Sequence, residues 1–82
     1  MVRQVAGERA ALLTLLADPG GPPPGILLRT REVALLFQVS ERSVTEWARR
    51  GRIRSVRTPG GHRRYPADQV RTLLGMEAGT TD

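Results

Sequence analysis

The segment Pro19-Gly20-Gly21-Pro22-Pro23-Pro24-Gly25 is the strongest constraint on what this chain can fold into. Proline fixes φ and lacks a backbone donor, and glycine loosens the chain, so the segment cannot continue a helix and reads as a linker with a polyproline stretch. It divides the 82 residues into a leader, 1–18, and a domain, 26–75, followed by a polar tail, 76–82. A core drawn from about fifty residues is marginal.

The leader carries one apolar run, Ala10 to Ala17, which stops at Asp18-Pro19. It is far too short to span a bilayer and predicts a short helix. Packing on the domain, self-association through the leucines and a frayed end are equal readings of its purpose. With Arg3 ahead of it the run has the outline of a signal peptide, but the basic remainder of the chain argues against export. Three consecutive prolines in a linker are too common to signal an SH3-type ligand.

From Ile26 the pattern tightens. Leu27 and Leu28 lead in, Thr30 is placed to cap a helix, Glu32 suits its first turn, and Val33, Ala34 and Phe37 recur at helical spacing over about eight residues. After a turn at Gln38 and Val39, Ser40 caps a second helix with Val44, Trp47 and Ala48 inward, and Gly51 is placed to end it in the left-handed conformation. Two brief helices joined by a three-residue turn are the signature of a helix-turn-helix, here without the glycine often found in that turn.

Two strands follow, Ile53 to Arg57 and His62 to Tyr65, around Thr58-Pro59-Gly60-Gly61. With proline second and glycine third, a type II turn is expected. The hairpin is a wing. Pro66 then opens a third helix of the domain, with Asp68 at its positive end and Val70, Leu73 and Leu74 as its buried stripe. The fold class is mainly α with a small β-hairpin, a winged helix-turn-helix with Phe37, Val44, Trp47, Ile53, Tyr65, Val70 and Leu73 as its core.

Charge locates the chemistry. The net charge of +5 falls entirely within residues 26–82, and residues 47–67 hold seven arginines and no acid. All thirteen basic residues are arginine. A GC-rich genome is the favoured cause of the missing lysine, so function is drawn from where the arginines sit. Guanidinium groups pair bidentately with phosphate oxygens or guanine edges, which makes double-stranded DNA the expected partner.

On the second helix, Arg42, Glu46 and Arg49 stand opposite the apolar stripe with Thr45 flanking. The arginines suit guanine or phosphate, Thr45 a base edge or thymine methyl, and Glu46 either cytosine or a neighbouring arginine. Ser40 to Ser43 offer free amides to a phosphate. Thr30 and Arg31 are further candidates at the start of the first helix. On the wing, Arg57, Arg63 and Arg64 alternate in facing, so at least one points away from a bound duplex. Gly61 serves turn geometry or close backbone approach. His62 reads equally as a phosphate or minor-groove contact and as an ordinary strand residue.

Without cysteine and with one histidine, the chain has no material for disulfides, thiolate metal sites or a catalytic triad, and it has no P-loop. No enzyme activity, metal, cofactor or membrane association is expected.

Val39-Ser40-Glu41-Arg42-Ser43-Val44, Trp47, Gly51 and Gly61-His62-Arg63-Arg64-Tyr65 resemble the DNA-binding domain of the MerR superfamily. More narrowly, the run from Leu27 to Leu74, with Arg57-Thr58-Pro59-Gly60-Gly61-His62-Arg63-Arg64-Tyr65, resembles the small BldC-type transcription regulators of filamentous actinobacteria. The helix pattern is shared with excisionases. The resemblance implies that Ser40, Arg42 and Ser43 lie on a recognition helix in the major groove and that Arg63 holds the backbone; the leader through Gly25 has no counterpart in it.

Full-length MerR-type activators continue into a dimerisation helix and an effector domain. The sequence ends eight residues after Leu74, so no small-molecule effector is expected, and head-to-tail association on direct repeats becomes the better expectation than a symmetric dimer. The reading is a cytoplasmic, nucleoid-associated regulator of transcription. An excisionase-like architectural protein is the alternative, and an interaction module built on the leader and linker is a third.

Overall fold

The computed structural model describes residues 2–75, and the polar tail expected over 76–82 lies outside the described residues. Seven elements follow in order: α1 (Val2–Ala17), β1 (Leu27–Arg29), α2 (Thr30–Phe37), α3 (Glu41–Arg49), β2 (Val56–Arg57), β3 (Arg63–Pro66) and α4 (Ala67–Leu73). The strands form one antiparallel sheet ordered β1-β3-β2.

Helix α1 is longer than its apolar run and reaches across the linker to the domain. Leu16 is fully buried beside Leu28, Val33, Leu36 and Val70, with Leu12 and Leu13 packed against that cluster. Burying such a side chain contributes about 1.5–3 kcal/mol. Polar ties hold the helix at its middle and at its C-terminal end. Arg9 donates to the carbonyls of Leu35 and Leu36, both at 3.0 Å, at the negative end of α2. Arg71 of α4 donates at 2.8 Å to the carbonyl of Leu16.

The cap of α2 is Arg29, not Thr30 as expected. Strand β1 runs straight into the helix, Arg29 is extended (φ −84°, ψ 158°), and its N–H donates to Glu32 Oε1 at 2.7 Å. The Thr30 hydroxyl instead turns to the Tyr65 phenol at 3.4 Å. At the other end Gln38 takes the left-handed conformation (φ 60°, ψ 45°) that glycine usually supplies. The Gln38 and Val39 N–H groups donate to Leu35 and Ala34 carbonyls at 3.3 and 3.0 Å, which turns the chain sharply into α3.

Helix α3 begins as expected, with Ser40 Oγ accepting from the Ser43 N–H at 3.1 Å. It ends at left-handed Gly51 (φ 76°), where Gly51 and Arg52 donate to the carbonyls of Ala48 and Trp47 at 3.1 and 2.8 Å. Phe37 and Trp47 meet edge to face across the helix pair, their ring centroids 5.3 Å apart.

The sheet departs from the expected hairpin in three respects. A third strand, β1, pairs Leu28 with Tyr65. The strand expected from Ile53 begins only at Val56, because Ile53 is buried as a loop residue and the Arg54 N–H goes to Gln69 Oε1 of α4 at 2.7 Å instead of to a ladder. The wing turn is not type II, since that needs a left-handed third residue, whereas Gly61 (φ 86°) and not Gly60 carries the positive φ. Gly61 donates to the Thr58 carbonyl at 2.8 Å, the arrangement of a tight turn closed by a left-handed glycine.

Pro66 caps α4, whose stripe is Ala67, Val70 and Leu74 rather than one containing Leu73. At 100° per residue Leu73 falls to the side of that stripe, and it is 46% exposed. Phe37 and Trp47 are half-buried at the edge of the core, while Val44, Ile53, Tyr65 and Val70 are buried.

Leu16→Ala is expected to cost about 2–5 kcal/mol in chemical denaturation, a loss that a leader contributing nothing to the core would not show. Gln38→Gly relieves about 1 kcal/mol of left-handed strain, less part of the glycine entropy cost, and is expected to raise Tm by about 3 °C.

Candidate nucleic-acid interface

The outer face of α3 is set by what its inner face must bury. With Val44 fully buried, Thr45, Glu46, Arg49 and Arg42 fall within a fan of about 100° on the opposite side. Arg42, Thr45 and Arg49 are exposed, and Glu46 is half-buried. Arg42 engages no other side chain among the described residues. Arg49 is held by Glu46, its Nε donating to Oε2 at 3.0 Å and its Nη2 to Oε1 at 2.9 Å. These bonds hold the Glu46 carboxyl below its ordinary pKa and raise that of Arg49.

At the start of the helix, Ser40 and Ser43 share a hydroxyl contact at 3.1 Å in addition to the cap. The Ser40 oxygen is therefore committed to the helix terminus. Thr30 and Arg31 lie on the first turn of α2 and are likewise engaged. The Thr30 hydroxyl serves the buried Tyr65, and Arg31 pairs with Glu8 of α1, whose carboxylate raises the guanidinium pKa.

Register decides the facing of the wing arginines. Arg57 lies opposite Arg63, so the two share a face, the face on which Leu28 and Tyr65 pack inward. Arg64 lies opposite Arg29 and Val56 on the other face. Arg63 Nη1 donates to Ser55 Oγ at 3.1 Å and Arg57 Nη1 to the Gly61 carbonyl at 3.2 Å, while Arg64 Nη1 folds back to the Arg63 carbonyl at 3.0 Å. His62 is exposed, with its N–H donating to Thr58 Oγ1 at 3.2 Å, so the threonine hydroxyl fastens the turn.

The arrangement brings Arg42, Thr45, Glu46 and Arg49 together on one helix face and Arg57 and Arg63 on one wing face, and it sets Arg64 apart. Glu8, which pairs with Arg31, Ser55, which accepts from Arg63, and Thr58, which fastens the wing turn, were not foreseen in these roles. Thr58 had a local signal, a hydroxyl at the first position of a turn. Glu8 had none, since its partner is twenty-three residues away.

Helices α2 and α3, the sharp turn at Gln38 and the hairpin beyond them define a winged helix-turn-helix. Residues 27–76 match the family model described as a helix-turn-helix domain, which covers more than half of the chain, and the chain belongs to that family. It is a DNA-binding kind of domain. Among curated proteins none matches the chain. No described helix is long and apolar enough to cross a membrane, and no cluster of metal-ligating side chains occurs among the described residues.

The Glu46–Arg49 pair gives a pH signature. Because the Glu46 pKa is lowered in the folded chain, the small stabilisation from the pair is present above the unfolded carboxyl value and is lost as pH falls through the lowered one. An NMR titration is expected to show Glu46 titrating below the ordinary glutamate value, and Arg49→Ala to return it to the ordinary range.

Proposed function

We propose that this protein is a sequence-specific regulator of transcription that lays α3 in the major groove and the wing across the phosphate backbone. The observation that carries the proposal is the outward face of α3. A helix of nine residues presents two guanidinium groups opposite its one fully buried side chain, with a hydroxyl flanking them, while Arg57 and Arg63 project from a single wing face. Arg42 is the free base reader in the first turn, and Ser40, Ser43 and Thr45 complete the groove contact. Arg63 and Arg57 hold phosphate, with Gly61 and His62 at the turn beside them. Thr30 and Arg31 reach the backbone flanking the groove, and Arg64 lies at the margin of the contact.

The sequence likeness to MerR-superfamily and BldC-type regulators supports a role in transcription, for which we propose a head-to-tail arrangement on direct repeats. Footprinting on genomic DNA tests both points. Protected direct repeats upstream of genes are the expected result. A single inverted repeat bound by a solution dimer would refute the arrangement, and protection confined to an attachment site would favour recombination over transcription.

With roughly five phosphate contacts, log affinity is expected to fall with log salt at a slope of about −4 to −5. Arg63→Ala should weaken binding to all sequences and flatten the slope by about 1, whereas Arg42→Ala should cost about 1–3 kcal/mol on the preferred site and relax base preference. Fluorescence anisotropy on selected and random duplexes measures both, and a salt-independent affinity would overturn the electrostatic basis of the proposal.

A further inference from the structure

Glu46 is the one acid on the outward face of α3, and an acid facing a duplex needs a reason. Helical spacing puts it within reach of three arginines, Arg42 four residues before it, Arg49 three residues after and Arg50 four residues after. It takes Arg49, and through both of its oxygens. The Nε and Nη2 groups that Glu46 occupies form an edge that could equally grip phosphate or the O6 and N7 of guanine. The two outward arginines are therefore unequal before DNA arrives, with Arg42 free and Arg49 engaged.

The consequences differ for a phosphate and for a base. A phosphate oxygen that captured Arg49 would leave the Glu46 carboxylate unpaired in the negative field of the backbone. A guanine that captured Arg49 would do the same unless a neighbouring base offered Glu46 a donor. The exocyclic amino groups of cytosine and adenine are the major-groove donors able to do so.

We propose that Glu46 is a specificity-determining residue that withholds Arg49 from non-specific phosphate and releases it only to a site presenting guanine beside an amino-bearing base under the C-terminal half of α3. The inference rests on α3 being the recognition helix. Glu46 discriminates chiefly by penalising wrong sites, since an exposed carboxylate–guanidinium pair adds little to the stability of the free protein.

The test compares wild type, Glu46→Gln, Arg49→Ala and the double variant on a random-sequence duplex and on a duplex selected from a random pool by the wild-type protein. Glu46→Gln keeps the size of a surface side chain and removes its charge, and thermal melting checks its fold. Its affinity for the random duplex is expected to rise about 3- to 10-fold at about 0.1 M salt, with a log–log slope steeper by about 1, as one guanidinium is freed. Affinity for the selected duplex should rise less or fall, lowering the specificity ratio. In the Arg49→Ala background Glu46→Gln should not steepen the slope. If wild type prefers its selected site and Glu46→Gln leaves random-duplex affinity and slope unchanged, the role of Glu46 is refuted while the proposed function stands. If wild type shows no preference for any selected duplex, both fall.

Discussion

Tyr65 is the point on which the rest of the structure depends. It is fully buried, sits opposite Leu28 in the sheet, and meets the Thr30 hydroxyl through its phenol. A tyrosine ring is large enough to dominate a core of this size. One residue further on, Pro66 ends the strand and caps α4. Because strand side chains alternate, burying Tyr65 also fixes the wing: Arg63 and its partner Arg57 go to one face, and Arg64 goes to the other.

The helix pair is oriented by its termini as much as by its packing. Gln38 and Gly51 turn the chain by the same left-handed device, one with a side chain and one without. Between them Ser40 closes the start of α3, so the helix presenting Arg42 and Arg49 is defined at both ends by backbone and hydroxyl groups. The edge-to-face contact of Phe37 and Trp47 joins the two helices across the turn.

The arginines of this chain fall into distinct physical roles despite their uniform chemistry. Arg9 and Arg71 donate to carbonyls at helix ends, Arg31 is neutralised by Glu8, and Arg49 is held by Glu46. The remainder, Arg42 on α3 and Arg57 and Arg63 on the wing among them, pair with no acid among the described residues. Net charge alone would have credited all of them equally.

The helix pair and wing were legible in the sequence because their signals are local. Ser40 caps within three residues, Gly51 supplies its own φ, and the inward and outward faces of α3 follow from a 100° rotation per residue. The third strand was hidden because three residues are too few to show alternation, and the exposure of Leu73 because a seven-residue helix leaves its stripe ambiguous. Sequence by itself determined the winged helix-turn-helix and the basic face of its second helix. Only the tertiary structure decided that Leu16 belongs to the core, that Glu46 chooses Arg49 over Arg42, and that Arg57 and Arg63 share a face. Leu16 and the wing pair depend on contacts or strand register between separated segments, and the choice of Glu46 on rotamers, none of which a linear pattern records.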